Sequence, residues 1–282
     1  MSSHPSTVAA GLRESDRDRY LAAILAPPAI QGHLSALYAF HNEIARIGDL
    51  VSDVLPGEIR LQWWRDAIAG SGHGDVRANP LAAALLDAIA AGAMHGPDLQ
   101  RLIDARADDL YGEAFADMAA LETRLRRLSG GLFRIALGVA AQGGSLRDDA
   151  YALADEAGIA EGIVGTLRNI GFDASKGRVL LPADLMARHG VDPARLLSGE
   201  TGAGFPALVG AMLDVAESRL SALRAASPLP AGERIALLPA ALVAPRIAML
   251  RRATPDIRAT PADMSPLRAF WRLWLARRTG RF

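Results

Sequence analysis

The stretch Leu34-Ser-Ala-Leu-Tyr-Ala-Phe-His-Asn-Glu-Ile-Ala-Arg-Ile-Gly-Asp49 decides the fold class. Steps of three and four residues join Leu34, Leu37, Tyr38, His41, Ala45 and Gly48 along it. This is the period of an α-helix that turns one face to a core. We therefore predict a helix across the stretch.

The same period extends outward along the chain. It predicts helices over residues 81–94, 97–110, 121–141, 151–170 and 205–225, with loops at 70–74, 143–144, 198–204 and 227–232. Pro80 and Pro97 suit first helical turns, whereas Gly130–Gly131 weakens the middle of its helix. Only residues 178–181 could be extended. The chain is therefore predicted to be all-α.

The expected organisation is one helical domain over residues 17–282, preceded by a flexible leader over residues 1–16. The polar start lacks the apolar region of a secretory signal, and its acids count against a transit peptide. The longest apolar stretch, from Ile235 to Ala244, is too short to span a membrane. The expected location is the cytoplasm, with the inner-membrane surface as an alternative.

Composition excludes several classes of function. The 31 Lys and Arg residues balance 31 Asp and Glu residues, so nucleic acid is not an expected partner. With no cysteine, the chain has no disulfide, thiolate metal site or cysteine nucleophile. No phosphate-binding loop, His-Glu-x-x-His zinc pair or Gly-x-Ser-x-Gly hydrolase elbow occurs in the sequence.

Four ordered segments give the chain a family resemblance. They are Tyr20-Leu-Ala-Ala-Ile-Leu-Ala-Pro27 with Ala36–Asp49, Leu61-Gln-Trp-Trp-Arg-Asp66, Leu102-Ile-Asp-Ala-Arg-Ala-Asp-Asp-Leu110, and Gly158–Asn169 with Asp173 and Gly177–Pro182. In order and spacing they resemble the squalene/phytoene synthases over roughly residues 20–185. The resemblance implies an isoprenoid-synthase-like helical bundle around a central cavity. Typical members join two prenyl diphosphates with magnesium held by two acidic motifs.

The first acidic motif is incomplete. The positions that carry an arginine and two acids in the family hold Asn42, Ala45 and Asp49. A helical wheel places Tyr38 on the same face, together with Asp53 as a shifted second acid. Asp49 and Asp53 are thus the candidates for a vestigial metal or diphosphate site here, and the alternative is a solvated helix end.

The second motif is reduced further. Gly162, Gly165 and Asn169 stand where the family generally shows glutamine, asparagine and aspartate, while Asp173 remains. Gly158 extends the glycines along one helical stripe. Because each glycine costs a helix roughly 0.5–1 kcal/mol, the stripe indicates either close helix packing or a pocket opened for another ligand. Asp49 and Asp173 are the expected ligands of any retained magnesium.

Several cations could contact an anionic ligand. Arg168 and Arg178 match the family pattern and, with Tyr38 and Asn42, are the predicted anion or ligand contacts. A separate basic cluster contains Arg124, Arg126, Arg127 and Arg134, for which a solvated face is the simpler interpretation.

The C-terminal segment predicts an amphipathic helix near residues 266–279. Its apolar stripe contains Leu267, Phe270, Trp271, Trp274 and Leu275, and basic residues including Arg268 and Arg272 surround it. Such a helix could lie on an anionic membrane or dock on a partner protein. It could equally pack its aromatic residues on the core.

Three hypotheses follow. The pattern is similar to the family branch that contains the mitochondrial factor for assembly of respiratory NADH dehydrogenase, complex I. The leading hypothesis is therefore a non-catalytic or weakly catalytic member that binds a prenyl or lipid-like ligand, or acts in respiratory-complex assembly. The rival is an active head-to-head prenyltransferase that uses magnesium. The third is a helical scaffold without a ligand.

Overall fold

The computed structural model describes residues 4–51, 53–112, 114–252 and 263–282. Within these ranges the chain forms α-helices and no β-strand, so the all-α prediction is confirmed. The helices are α1 (His4–Ser15), α2 (Arg17–Ile24), α3 (Pro28–Leu50), α4 (Val54–Ala69), α5 (Pro80–Ala90), α6 (Gly96–Ala107), α7 (Met118–Leu125), α8 (Gly131–Ala141), α9 (Ala150–Ser175), α10 (Ala183–His189), α11 (Pro193–Leu197), α12 (Phe205–Ala225), α13 (Ala231–Ala236), α14 (Val243–Arg252) and α15 (Pro266–Thr279).

Local sequence signals start and stop these helices. Pro80 occupies the first turn of α5, and the Asn79 side chain accepts hydrogen bonds from the backbone N–H groups of Leu81 and Ala82. Asp16 caps α2 in the same way by accepting from the Arg19 N–H. At the other end, Gly70 closes α4 in the left-handed conformation, which glycine adopts without steric cost.

Helix α9 lies at the centre of the fold. It packs against α8, α12 and α14, and residues such as Ala154, Ile159 and Ile163 are fully buried along it. Helix α3 forms a second long support, which packs against α1, α2, α5 and α8. The C-terminal ends of α3 and α9 bring Asp49 and Asp173 to one cavity.

The helix predicted over residues 121–141 is interrupted next to Gly130–Gly131, the glycine pair that was expected to weaken its middle. A single π-helical turn, Arg126–Gly130, joins α7 to α8 and packs against α9. Such π-bulges place one extra residue in a turn and often occur near functional sites. Here the bulge brings the Gly130 backbone onto α9.

The prediction of a flexible leader over residues 1–16 is wrong for its described part. Residues from His4 to Ser15 form α1, which packs against α3 and α5. Leu12 is fully buried, and Val8 is nearly so. Two apolar residues four positions apart were therefore enough to anchor a short helix that is otherwise polar.

Candidate functional site

A cavity of about 1920 Å³ opens among the helices. Its polar wall comes from α1, α2, α3, α6, α7, α9 and α14, with Arg178 added from the segment after α9. Typical small-molecule sites have volumes of roughly 300–1,000 Å³, so this cavity has room for a large ligand.

Arg178 lies between Asp49 and Asp173. Its Nη2 donates to Asp49 Oδ1 at 2.7 Å and to Asp173 Oδ1 at 2.8 Å. The chain turns sharply after α9 at Gly177, whose φ of 74° lies in the left-handed region, and this turn carries Arg178 back over the helix end. The Arg178 backbone N–H also donates to the Asp173 carbonyl at 2.9 Å.

Burial governs the charge state of this trio. It raises the pKa of Asp173, and the hydrogen bond and charge of Arg178 oppose that rise. Burial also works to lower the pKa of Arg178, but its hydrogen bonds to the two carboxylates outweigh that effect and raise it. The geometry is that of a cation held by two opposed acids, and the cation belongs to the chain itself.

The residues at this site do not fit the magnesium cluster that the resemblance implies. Asp49 and Asp173 are already bridged by a guanidinium, which would repel a divalent cation placed between them. Ala45 and Gly165 line the cavity without an oxygen ligand, and Asn169 offers only a neutral amide. Across the described ranges, no three acidic or histidine side chains come together as a metal site.

The position of Asp53 corrects the helical-wheel prediction. Helix α3 ends at Leu50, and Asp53 precedes α4 in an extended conformation, exposed to solvent. It therefore does not continue the face that carries Asp49, and it is not on the cavity wall. Asn42 does lie on α3, where its side chain donates to Ser15 Oγ of α1 at 3.4 Å.

The glycine stripe on α9 divides into two parts. A Cβ atom on Gly158 would lie 2.5 Å from Gly130 Cα of the π-bulge, and one on Gly162 would lie 2.5 Å from Leu125 Cδ2. A Cβ atom on Gly165 would have nothing within 4 Å, and Gly165 lines the cavity. Gly158 and Gly162 therefore allow close packing, although Gly162 also lines the cavity, and Gly165 lies in open space on the cavity wall.

Tyr38 belongs to a buried network instead of the cavity wall. It is fully buried beside Arg19, which pairs with Glu161 at 2.8 Å and with Asp16 at 2.7 Å. Burial raises the pKa of Tyr38, so the phenol stays neutral. Burial tends to lower the pKa of Arg19, but Glu161 and Asp16 raise it above its usual range.

Arg168 lies on the cavity wall but is already paired. Its Nη2 contacts Asp263 Oδ2 at 2.8 Å, and the same carboxylate contacts Arg246 at 3.2 Å. Arg246 also pairs with Asp18 of α2. The predicted anion contact at Arg168 thus helps to hold the segment before α15 against α9 and α14.

Sequence reasoning did not single out Arg106, and it grouped Arg124 with a basic cluster that was interpreted as a solvated face. Arg106 comes from α6 and Arg124 from α7, and both contact Asp109 on the cavity wall. The other members of the predicted basic cluster are at least two-fifths exposed and do not line the cavity. Arg126 and Arg134 pair with Asp155, and Arg127 pairs with Asp108 at the cavity edge. Only their tertiary positions separate Arg124 from its neighbours in sequence.

Helix α15 occupies the predicted C-terminal position but buries a different face. Ala269, Leu273 and Ala276 are buried, whereas Leu267 is 68% exposed and Trp271 is 55% exposed. Phe270 and Trp274 pack partly against the core. The interpretation that all the aromatic residues pack on the core is therefore wrong for Trp271. Arg268 and Arg272 are exposed on the same helix.

No helix among the described residues has the length and apolar character that a membrane crossing requires.

Comparison with known proteins gives a consistent family assignment. Residues 12–274 match the family described as squalene/phytoene synthase. Curated relatives include "NADH dehydrogenase (ubiquinone) complex I, assembly factor 6" of Mus musculus, 33% identical over 180 residues that cover 64% of this chain and 53% of that protein. The Homo sapiens protein of the same description is 28% identical over the same lengths. The chain spans about half the length of these curated relatives.

Solved structures extend the likeness to nearly the whole chain. A dehydrosqualene synthase in complex with ligand has a TM-score of 0.81 at 18% identity, covering 98% of this chain and 95% of that one. A squalene synthase from Alicyclobacillus acidocaldarius has a TM-score of 0.72 at 20% identity, covering 88% of this chain and 93% of that one. The predicted isoprenoid-synthase-like fold is thereby confirmed.

Proposed function

This chain belongs to the squalene/phytoene synthase family, and from that starting point we propose that it has lost head-to-head coupling. It binds a prenyl or lipid-like molecule in its cavity and supports the assembly of respiratory complex I. The observation that carries this proposal is Arg178, which bridges the two acids that remain from the metal-binding motifs.

The electrostatic argument concerns the leaving group. Diphosphate departure needs cations that gather around its oxygens and neutralise the charge that builds up. Here the two retained carboxylates are paired within the protein by hydrogen bonds of 2.7 and 2.8 Å to one guanidinium. A metal would first have to displace Arg178 and would then find only two carboxylates, which is a weak site for a hard cation.

The cavity argues for a retained ligand. The cavity of about 1920 Å³ opens to solvent and leaves apolar wall atoms in contact with water, and an apolar ligand chain would cover them. Gly165 adds to that space at a helical position where alanine would be more stable. Both features support a cavity that is kept open for an occupant.

The partner class comes from the relatives. The curated relatives are named as assembly factors of complex I, and the match covers 180 residues of this chain. We infer that this chain acts on a respiratory NADH dehydrogenase in the same general way.

Helix α15 supplies a candidate contact with the membrane in which such a complex resides. Leu267, Trp271 and Leu275 are exposed at four-residue steps, so they form one outward stripe. The helix contains four arginines and no acidic residue. This combination favours an anionic lipid surface as the binding partner of α15.

Vesicle flotation tests that contact. We expect the protein to float with vesicles that contain anionic lipid and to stay behind with neutral ones. Trp271→Ser should weaken flotation, whereas Tyr151→Ser, an exposed aromatic control on α9, should not. Equal binding to both vesicle types would show that lipid charge does not drive binding. A protein would then be the expected partner of α15.

The turnover assay tests the proposed loss of catalysis. Purified protein with farnesyl or geranylgeranyl diphosphate and Mg²⁺ should yield no coupled hydrocarbon. A product that disappears in Asp49→Ala would establish the rival, an active prenyltransferase.

A genetic assay tests the cavity and the assembly role together. Deleting the gene should lower the amount of assembled complex I on native gels, and the wild-type gene should restore it. Gly165→Leu, which fills the cavity, should fail to restore it. Gly138→Leu is the matched control, because Gly138 also has open space around it but is exposed on α8 away from the cavity.

A further inference from the structure

Two arginines share one carboxylate on the cavity wall. Arg106 Nη1 lies 3.0 Å from Asp109 Oδ2, and Arg124 Nη2 contacts Asp109 Oδ1. All three side chains line the cavity and are about four-fifths buried. This group therefore carries one net positive charge inside the protein.

Three other arginines of the cavity wall each contact two carboxylates. These are Arg19 with Asp16 and Glu161, Arg178 with Asp49 and Asp173, and Arg246 with Asp18 and Asp263. Arg168 shares Asp263 with Arg246, so these two arginines are balanced by Asp18 and Asp263. Among these clusters, only that of Arg106 and Arg124 has more arginines than carboxylates.

The surroundings of Arg106 leave donors unused. Its Nε is buried without a hydrogen-bond partner among the described residues, and its Nη2 has His41 Nε2 at 3.5 Å. Burial lowers the pKa of His41 well below its usual value, with Arg106 and Arg19 adding to the effect, so the imidazole is neutral. An uncompensated buried donor is costly and can bind an incoming anion. The Nε atoms of Arg19, Arg178 and Arg246 are also unpaired within the described ranges, so Arg106 differs from them in having to share its carboxylate with Arg124.

The pKa values of Arg106 and Arg124 also indicate that these arginines lack nearby negative charge. Burial, followed by the charge of Arg19, lowers the pKa of Arg106 to about 10. Burial, followed by the charge of Arg106, lowers the pKa of Arg124 to about 9. By contrast, the pKa values of Arg19, Arg178 and Arg246 are raised by their paired carboxylates.

We propose that Arg106 and Arg124 form a metal-independent receptor for a phosphate group on the ligand of this cavity. Guanidinium groups present planar pairs of N–H donors that match phosphate oxygens, and a phosphate would supply the anionic charge that Asp109 alone does not. This inference rests on the proposed ligand binding and specifies the chemistry of the ligand's head.

The consequence is a change in how the head group is held. A synthase-like site holds phosphate through metal ions that the acids anchor, whereas here the chain's own cations contact it directly. Arg178 pairs with the retained acids beside this receptor, where Asp49 acts electrostatically on Arg106 and Asp173 on Arg124. Phosphate binding at this receptor therefore needs no divalent cation.

Calorimetric titration in EDTA tests the receptor with three probes: farnesyl phosphate, farnesol and inorganic phosphate. We expect farnesyl phosphate to bind the wild type more tightly than either of the others, since it alone has both tail and phosphate. Arg106→Gln and Arg124→Gln should each weaken it roughly 10- to 100-fold, the range expected for a lost charged hydrogen bond. Farnesol affinity should be unchanged in both variants.

The matched control is Arg126→Gln, which removes an arginine from the adjacent π-bulge outside the cavity and should leave all three affinities unchanged. A variant that is expected to bind more tightly provides a control for affinity that is lost through misfolding. Asp109→Asn removes the competing carboxylate, so farnesyl phosphate should bind several-fold more tightly than to the wild type.

The outcomes separate this inference from the proposed function. If farnesyl phosphate binds but Arg106→Gln and Arg124→Gln behave like Arg126→Gln, the receptor is refuted while ligand binding stands. Binding that disappears in EDTA also refutes it. If inorganic phosphate binds as tightly as farnesyl phosphate, the site takes free anions and the assignment to a ligand head fails. If neither farnesol nor farnesyl phosphate binds, the proposed ligand binding fails as well.

Discussion

Alanine substitutions along the glycine stripe on α9 can distinguish glycines that allow close helix packing from the glycine that faces open space. In Gly158→Ala the new Cβ atom would lie 2.5 Å from Gly130 Cα and 2.6 Å from Ser129 C. These are backbone atoms in a π-bulge, so the clash can be relieved only if α9 and the bulge move apart. In Gly165→Ala the new methyl group meets nothing within 4 Å.

The expected magnitudes follow from two opposing terms. Alanine improves helix propensity over glycine by about 0.8–1 kcal/mol. Overpacking typically costs about 1–3 kcal/mol and more where backbone must shift. Gly165→Ala should therefore stabilise the protein by roughly 0.5–1 kcal/mol. Gly158→Ala should lower the free energy of unfolding by about 1–2 kcal/mol or more, and Gly162→Ala should fall between them because the Leu125 side chain can rotate away.

Urea unfolding followed by circular dichroism measures this series, with the m-value checked for constancy. Gly138→Ala is the control for propensity alone, since Gly138 also has open space around it. If Gly158→Ala were as stable as Gly165→Ala, the close approach of α9 to the π-bulge would be refuted. The packing explanation of the stripe would then fail.

Further predictions concern charge and the C-terminal helix. Arg178→Met should lose stability and gain a Mg²⁺-dependent rise in melting temperature that the wild type lacks, because Asp49 and Asp173 are then left unpaired; an equal Mg²⁺ response in both proteins would contradict this. Burial raises the pKa of Asp173, so its contribution to stability is present at acidic pH and declines as pH rises through the raised folded-state pKa. Asp173→Asn should accordingly gain stability relative to the wild type between about pH 4 and pH 7 in urea titrations. Leu273→Ala should cost about 2–5 kcal/mol because Leu273 is fully buried, whereas Trp271→Ser should cost less than about 1 kcal/mol, and the reverse order would show that α15 packs by its aromatic face.

The retained acids illustrate how far sequence reasoning reaches. The family resemblance identified Asp49 and Asp173 as the matched positions, and residue type showed that Ala45 and Gly165 carry no ligand oxygen. Asp53 was misplaced because the helix ends at Leu50, and a wheel drawn past a helix end assigns faces that do not exist. The termination has no strong signal in the sequence, where Val51 follows Leu50 without a glycine or proline.

The sequence by itself determined the helical class, the family and the loss of several metal ligands, because helical period and residue type are local properties. Tertiary structure alone decided what replaced those ligands. Arg178 reaches Asp49 across 129 positions of sequence. Arg124 lines the cavity while Arg126 pairs with Asp155 outside it, and only the packing of α7 against its neighbours shows which of the two faces the cavity. Likewise α15 has an aromatic face and a second face that contains Ala269, Leu273 and Ala276, and only tertiary packing shows that the second face is buried. Charge pairing and close packing depend on distances between remote segments, and those distances exist only once the chain has folded.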